Sequence, residues 1–342
     1  MPDDAAARSL PATQHRVVVA QRPVGAVTPE CFRLETVDVE PLGEGEALAA
    51  VRYLSIDPTI RGWISHDTYL PAVPIGDVVR SGGTAEVIAS TRDDLPVGTA
   101  VFGMTGWQEV CRIGPDDMMQ VLPPGIDLAD ALGVYGVTGI TAYVGMLEYG
   151  RPEAGDTVVV SGAAGATGSV AGQIAKITGA RVIGIAGGPD KCRWLTDELG
   201  FDAAIDYRNE DVGARLGELC PDGLDVFYDN VGGDILEAAL DHLAIGARIA
   251  LCGAIATYND VEPRPGPRNL SNLIVQRARM EGFLLLDHVD RFAEAALTIA
   301  GWVAEGRIHH RTDVVEGLDH APDALERLFT GANTGKVVVR VS

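Results

Sequence analysis

The sequence predicts an α/β fold with two domains, a β-rich N-terminal domain and a doubly wound domain with a parallel sheet. The chain has 342 residues, of which 46% are hydrophobic, so each domain can bury a core of its own. Short apolar runs broken by Gly, Pro and Asp occupy residues 15–114. After them, a glycine-rich turn at residues 161–168 begins a regular alternation of strand and helix patterns.

The N-terminal part is predicted to be β-structure because its apolar runs are short and bounded by turn-forming residues. These runs are Val17–Ala20, Ala47–Val51, Thr84–Ile88 and Ala100–Phe102. Helical patterns first appear at Leu128–Leu132 and Gly139–Leu147. The change near residue 130 marks the expected start of the second domain.

The second domain is predicted to hold up to six parallel strands, since strand and helix patterns alternate along it. The strands are Thr157–Ser161, Arg181–Ala186, Ala203–Ile205, Val226–Asp229, Ala247–Cys252 and Gly282–Leu286. The helices are Val170–Thr178, Lys191–Leu199, Val212–Glu218, Leu236–Leu243 and Arg291–Glu305. Two final strands, His309–Val315 and Lys336–Val341, flank a helix at Ala321–Thr330 and are expected to return to the first domain.

An excess of acidic residues argues against two kinds of partner. The 27 basic and 48 acidic side chains give a formal charge of −21, which repels nucleic-acid phosphates and anionic membranes. No apolar run approaches the roughly 18 residues of a membrane span, and residues 1–14 lack a signal-peptide pattern. The five cysteines are scattered without a CxxC pair, which favours free thiols. We therefore expect a cytoplasmic protein that acts on a small molecule.

The glycine-rich turn predicts a dinucleotide site. A strand that ends in such a turn and opens a helix directs unpaired backbone N–H groups at an anion, which suits a pyrophosphate. Gly165 and Gly168 match the last two glycines of the GxGxxG pattern, with Ala166 and Thr167 between them, whereas Ala163 replaces the first glycine. The strand–turn–helix context therefore carries this prediction more than the pattern does.

The residues after the second predicted strand favour NADP(H) over NAD(H). In NAD sites an acidic residue near this position binds the adenosine ribose, but here Gly187 and Gly188 follow the strand and leave room for a 2′-phosphate. Lys191, one of only three lysines in the chain, supplies a positive charge at the start of the next helix. The alternative is a solvated lysine in a first helical turn, and Asp190 beside it suits a helix N-cap.

Several segments in the same order carry a resemblance to a known family. They are Tyr53–Arg61, 76–79 (Gly-Asp-Val-Val), Gly106–Glu109, Gly139–Tyr143, the glycine turn, Tyr228–Gly233, Cys252–Ile255 and Gly331–Lys336. With them, the chain from about His15 onward resembles the medium-chain dehydrogenase/reductase superfamily. Within it, the chain is most similar to the zinc-free branch of prostaglandin reductases, leukotriene B4 dehydrogenases, alkenal double-bond reductases and curcumin reductase. The Gly-His-Glu segment and four-cysteine lobe of zinc-bearing members do not occur, so no metal site is expected.

The resemblance implies a fold, a dimer and a set of cofactor contacts. A GroES-like catalytic domain at 1–130, completed by 309–342, would precede a Rossmann NADP-binding domain at 131–308. Homodimers would form through edge strands, with Gly282–Leu286 as the candidate edge. The implied contacts are Lys191 and Tyr207 to the 2′-phosphate, Asn230 and Asn333 to the diphosphate or ribose, and the main chains of Cys252, Ala254, Ile255, Phe283 and Leu285 to the nicotinamide.

Each polar residue of this set also has a structural interpretation. Asn230 precedes Val-Gly-Gly and can form a turn, Asn333 can cap a loop, and Tyr207 can be a half-buried core residue. Trp63, Tyr69 and Tyr135 can line an apolar substrate pocket, although aromatic residues more often belong to a core.

The chemistry expected without a metal is one that the nicotinamide performs alone. The hypothesis is hydride transfer to the β-carbon of an α,β-unsaturated aldehyde or ketone, with an enolate that hydrogen-bond donors stabilise before the α-carbon is protonated. Tyr258 matches the family tyrosine that is the candidate proton donor, with water as the other source. Thr59 stands where many members have a tyrosine, which leaves the substrate open.

Two other functions fit the same motifs. One is a zinc-free NADPH quinone oxidoreductase of the same fold, and the other is a non-catalytic NADPH-binding protein. Retention of Tyr258 and Asn230 favours an enzyme over the second of these.

Overall fold

A computed structural model describes residues 10–117 and 119–341, and its first part is a set of antiparallel strands. These strands are β1 (Thr13–Val19), β2 (Phe32–Asp38), β3 (Ala47–Ser55), β4 (Gly82–Ser90), β5 (Ala100–Met104), β6 (Val110–Ile113) and β7 (Gln120–Val121). A short helix, α1 (Ile60–Trp63), lies between β3 and β4. β1 pairs with β2, and their apolar faces pack into the same core as β3 to β6.

The second part alternates strands and helices. The strands are β8 (Thr157–Ser161), β9 (Arg181–Ala186), β10 (Ala203–Asp206), β11 (Leu224–Asp229), β12 (Leu243–Leu251) and β13 (Arg279–Gly282). The helices are α2 (Val137–Val144), α3 (Ala166–Ile177), α4 (Pro189–Asp197), α5 (Val212–Leu219), α6 (Gly233–Leu240), α7 (Ser271–Val275) and α8 (Phe292–Ala304). The last elements are β14 (Thr312–Glu316), α9 (Ala321–Thr330) and β15 (Lys336–Arg340).

The six strands of the second part form one sheet in the order β10-β9-β8-β11-β12-β13, and every neighbouring pair is parallel. This order is that of a doubly wound sheet whose direction of winding changes between β8 and β11. Val158, Val159 and Val160 in β8 are fully buried, as expected for a central parallel strand covered on both faces. The predicted α/β fold class is confirmed.

β14 and β15 join the N-terminal sheet although they follow the parallel sheet in the chain. β15 pairs in parallel with β14 and antiparallel with β3, and the sheet runs β14-β15-β3-β4-β5-β7, with β6 also paired to β3. Lys336 at the start of β15 is almost completely buried, and its Nζ donates to Ile56 O at 2.9 Å and Asp57 Oδ1 at 2.6 Å. The C-terminal segment is thus fixed to the end of β3.

The predicted strand at Gly282–Leu286 is wrong in position. The strand is β13, which ends at Gly282, and a 3-10 helix begins at Leu285. Phe283 stacks on Tyr149 with 4.8 Å between ring centroids, and Leu285 is buried in the core. The apolar residues therefore lie in the segment after β13 and pack into the core from there. The strand itself is polar, so an apolar pattern could not locate it.

Several helix boundaries also differ from the sequence prediction. α3 begins at Ala166, four residues before the predicted Val170, because small residues of the turn already adopt helical geometry. Leu128–Leu132 yields only a 3-10 helix at Asp130–Leu132. The predicted helix at Leu236–Leu243 is α6, which ends at Leu240 and leaves Leu243 to begin β12. Among the described residues, no helix has both the length and the apolar character to cross a membrane.

Gly172 allows α3 to pack against the loop before β10. A Cβ at Gly172 would lie within 3.0 Å of the Phe201 ring, so Gly172→Ala is expected to lower the free energy of unfolding. The variant should be less stable even though, at an exposed helix position, alanine stabilises a helix by about 1 kcal/mol relative to glycine. Gly301 in α8 is the matched control, because it is exposed and a Cβ there would meet no atom within 4 Å. Gly301→Ala should therefore raise stability in the same urea titration, and equal shifts for both variants would contradict this packing.

Candidate cofactor and active site

The carboxyl ends of the six parallel strands lie along one edge of the sheet. The predicted cofactor-binding residues follow these ends in sheet order: Tyr207 after β10, Gly187 after β9, the glycine turn after β8, Asn230 after β11, Cys252 to Ile255 after β12, and Phe283 to Leu285 after β13. Neighbouring strands are about 4.8 Å apart, so the edge is about 24 Å long. An extended ligand along this edge would meet the predicted residues one strand at a time.

The glycine turn joins β8 to α3, and it has glycines where the chain passes closest to itself. Gly162 has φ +58°, a left-handed conformation that favours glycine. A Cβ at Gly168 would lie within 3.0 Å of the backbone of Gly162 and Ala163, so only glycine allows α3 to sit so close to the turn. No side chain caps α3 at its N-cap Gly165. Within the described part of the chain, no side chain binds the first N–H groups of α3, which include those of Ala166 and Thr167, so this helix end can bind an anion.

A buried carboxylate holds the ends of β8 and β11 together. Asp229 is 0% exposed, and it accepts hydrogen bonds from Ser161 Oγ at 2.6 Å and from the amides of Val231 and Gly232 at 3.0 Å. Burial raises the pKa of Asp229, and these three donors act in the opposite direction. These hydrogen bonds hold the end of β8 and the turn after β11 in position. The sheet changes its direction of winding between these two strands.

Asn230 supports the turn with its side chain. Its Nδ2 donates to Ser161 O at 2.7 Å, and its backbone N–H donates to Ser161 Oγ at 2.8 Å. This contact favours the turn-forming interpretation of Asn230. Among the described residues, its Oδ1 has no hydrogen-bond partner, so a role toward a ligand stays a prediction.

Lys191, Tyr207 and Gly187 come together at the tip of β9. Lys191 is half-buried, and its Nζ donates to Gly331 O at 3.0 Å, so it is not the solvated lysine of the alternative interpretation. Burial, together with the nearby Arg208, lowers the pKa of Lys191. A Cβ at Gly187 would lie 2.8 Å from Tyr207 Oη. Gly188, not Asp190, is the N-cap of α4, and the Asp190 side chain is 89% exposed and paired with Arg193.

Arg208 belongs to the same cluster and was not predicted. Its Nη2 donates to Thr330 O at 2.8 Å, and its Nε would lie 2.9 Å from a Cβ at Gly187. The signal was present in the sequence, because Arg208 directly follows Tyr207 at the carboxyl end of β10. Arg208 is therefore a second cation at the tip of β9.

The loop after α9 lies against the glycine turn. Gly335 N donates to Ala164 O at 2.8 Å, and Gly335 forms an isolated parallel bridge with Gly165. Asn333 is buried in this loop, where its Nδ2 donates to Gly335 O at 3.2 Å. Asn333 thus lies beside the turn, as the resemblance implies, and it also caps its own loop.

Tyr258 lies in the segment after β12, toward the end of the edge that is opposite β10. Cys252 N donates to Asp229 O at 2.8 Å, and Ile255 N donates to Asn230 O at 3.4 Å. The Tyr258 hydroxyl accepts a hydrogen bond from Ala254 N at 3.2 Å, which leaves its own proton available. Burial raises the pKa of Tyr258, so the hydroxyl stays protonated at neutral pH.

The N-terminal part contacts this segment through Arg61. Arg61 is buried, and its guanidinium donates to Asn259 Oδ1 at 3.2 Å and to Gly25 O at 2.7 Å. Thr59, at the position where the sequence departs from the family, shares a hydrogen bond of 2.9 Å with Tyr69.

The three aromatic candidates for a substrate pocket have different surroundings. Trp63 belongs to the N-terminal core, and Tyr69 is exposed with its ring edge-on to Trp63 at 6.1 Å. Tyr135 packs edge-on against a different ring, that of His310, also at 6.1 Å. Of the three, Tyr69 therefore has the most exposed ring, while its hydroxyl is already hydrogen-bonded to Thr59.

The residues of the edge fit NADPH. The uncapped N-terminus of α3 suits a pyrophosphate, and two glycines at the tip of β9 adjoin two cations without an ion-pair partner among the described residues. Within residues 10–117 and 119–341, no group of three or more His, Cys, Asp or Glu side chains is arranged to hold a metal ion.

Comparison with known proteins gives consistent matches over most of the chain. A family model described as the N-terminal domain of oxidoreductase matches residues 15–121, and one described as zinc-binding dehydrogenase matches residues 166–300. The NADPH-dependent curcumin reductase of Escherichia coli (strain K12) is 41% identical and aligns over 96% of either chain. The NADP(+)-dependent 2-alkenal reductase of Nicotiana tabacum is 38% identical over 88% of this chain and 89% of its own. The crystal structure of CurA from Vibrio vulnificus in complex with NADPH is 41% identical and has a TM-score of 0.92 over 96% of this chain and 99% of that one.

Proposed function

The chain belongs to the zinc-free branch of the medium-chain dehydrogenase/reductase superfamily, and we propose that it reduces activated C=C bonds in α,β-unsaturated aldehydes and ketones. It is an NADPH-dependent oxidoreductase, and its cofactor is NADP(H). The observation that carries the finer proposal is the Tyr258 hydroxyl, protonated and hydrogen-bonded to Ala254 N at 3.2 Å, beside the segment expected to hold the nicotinamide. The names of the two reductase relatives support the same class of substrate.

The cofactor is held by the carboxyl edge of the parallel sheet. The N-terminal N–H groups of α3 bind the pyrophosphate, with Gly165, Ala166, Thr167 and Gly168 as the turn that presents them. Lys191 and Tyr207 bind the 2′-phosphate beside Gly187. Asn230, Asn333 and the main chains of Cys252, Ala254, Ile255, Phe283 and Leu285 hold the remainder, and the bound cofactor supplies a hydride.

Tyr258 has two tasks in this proposal. Reduction at the β-carbon leaves negative charge on the carbonyl oxygen of the substrate, and a hydrogen-bond donor at that oxygen lowers the barrier. The Tyr258 O–H is such a donor, and the bond that it accepts from Ala254 N polarises the hydroxyl and strengthens its donation. The proton that completes the reaction at the α-carbon then comes from Tyr258 or from water.

A substrate panel tests the class of reaction. The purified protein is expected to oxidise NADPH with a 2-alkenal or an enone and to yield the saturated aldehyde or ketone, identified by mass spectrometry. A quinone serves as the competing substrate. Turnover of the quinone alone would favour the quinone oxidoreductase, and NADPH binding without turnover on any substrate would favour a non-catalytic protein.

Removing the hydroxyl of Tyr258 tests its role. Tyr258→Phe should lower turnover of an enone about 100-fold or more, because it deletes the donor at the charged oxygen, while the Kd for NADPH stays within about twofold. Tyr53→Phe is the matched control, since the Tyr53 hydroxyl accepts a bond from Arg340 of the neighbouring strand β15. Unchanged turnover in Tyr258→Phe would mean that another group stabilises the charged carbonyl oxygen and supplies the proton.

A homodimer is the expected assembly, joined at the free edge of the parallel sheet. β13 is the last strand of the sheet, and exposed apolar residues flank it in the chain, with Ile274 81% exposed and Leu286 and Val289 more than half exposed. Ile274→Glu should shift the protein from dimer toward monomer in sedimentation velocity. Val24→Glu, at an equally exposed valine of the N-terminal part, should leave the dimer intact. A monomeric wild-type protein would exclude this assembly.

A further inference from the structure

Two cations hold the C-terminal end of α9. Lys191 Nζ donates to Gly331 O at 3.0 Å, and Arg208 Nη2 donates to Thr330 O at 2.8 Å. The two residues come from different elements, the first turn of α4 and the chain after β10. The last carbonyls of a helix carry about half a negative charge in total, so they offset only part of two full positive charges.

The carboxylates near these cations already have other partners. Asp206 accepts bonds from the amides of Gly188 at 2.7 Å and Arg208 at 3.1 Å, and from Asn209 Nδ2 at 2.7 Å. Asp313 pairs with Arg327 at 2.8 Å. Among the described residues, neither Lys191 nor Arg208 forms an ion pair, which is notable in a chain with a formal charge of −21.

Further carboxylates on the adjoining elements are also engaged. Asp190 pairs with Arg193 on the exposed side of α4. Glu210 pairs with Arg215 at 2.8 Å and also accepts a bond from Asp206 N at 2.7 Å. Asp313 and Asp206 act on Lys191 and Arg208 without forming an ion pair with them, so the protein offsets the positive charge at the tip of β9 only in part. An anion placed there would offset the rest.

The position of the Arg208 guanidinium fits a ligand at the tip of β9. Its Nε would lie 2.9 Å from a Cβ at Gly187, so the group reaches over a strand tip that has no side chain. Gly188 follows with φ +98°, and a Cβ added there would meet no atom within 4 Å. Within the described part of the chain, only Nη2 of Arg208 has a hydrogen-bond partner, which leaves its other N–H groups available.

We propose that Arg208 binds the 2′-phosphate of NADPH together with Lys191 and so sets the preference for NADPH over NADH. The bond to Thr330 O holds the guanidinium in place, and the free N–H groups on its other side take phosphate oxygens in the planar arrangement that suits arginine. This inference rests on the proposed use of NADPH.

Isothermal titration with adenosine 2′,5′-bisphosphate and with 5′-AMP separates the 2′-phosphate from the rest of the cofactor and needs no turnover. The wild-type protein should bind the bisphosphate more tightly. Arg208→Ala should weaken the bisphosphate about 10- to 100-fold and leave AMP within about twofold. Arg208→Lys should recover only part of the loss, because it keeps the charge without the planar group. Arg193→Ala, an exposed arginine on α4, is the control for a general loss of positive charge and should change neither affinity.

Each other result has a definite meaning. A wild-type protein that does not prefer the bisphosphate would overturn the use of NADPH itself. A preserved preference in Arg208→Ala, with Lys191→Ala losing it, would leave NADPH standing and remove Arg208 from the site. Equal weakening of both ligands in Arg208→Ala and Arg208→Lys would show that Arg208 acts only through the end of α9, which also overturns the inference.

Discussion

The buried carboxylate of Asp229 is the interaction on which the whole ligand-binding edge depends. Its side chain joins β8, through Ser161, to the turn after β11, and its backbone oxygen accepts bonds from Cys252 and Gly253 after β12. Three central strands thus end at positions fixed by one residue. A carboxylate without these donors would be costly to bury, so the same bonds that arrange the edge also make the burial of Asp229 tolerable.

The C-terminal segment completes this edge from the opposite end of the chain. The loop after α9 contacts the glycine turn through Gly335 and Ala164, and Lys336, directly after it, is anchored to Ile56 and Asp57 at the end of β3. Cofactor residues from the parallel sheet and the segment around Thr59 are therefore connected through six consecutive residues, 331–336. This connection would place the proposed phosphate site at the tip of β9 and the proposed substrate position beside Tyr258 in one continuous site.

The charges of the site run against the charge of the chain. An acidic surface repels anions, yet the ligand expected here carries several phosphate charges. In the proposed site, the groups that meet this demand are local, namely the N-terminal N–H groups of α3 and the two cations at the tip of β9, and no broad basic surface is needed. Attraction is thus restricted to a short edge, which favours a small phosphorylated ligand over a polyanion.

The sequence by itself determined the fold class, the alternation around the glycine turn and the preference for a 2′-phosphate. Each depends on neighbours in the chain: Val158 to Val160 are apolar without interruption because both faces of β8 are covered, and Gly187 and Gly188 follow β9 directly. The tertiary structure alone decided the partners that are remote in the chain. Lys191 and Gly331 are 140 residues apart, and Arg208 and Thr330 are 122 apart, so a local sequence pattern cannot predict that these residues are in contact. The edge strand β13 escaped prediction for the same reason, since its place depends on pairing with β12 and not on the apolar residues that follow it.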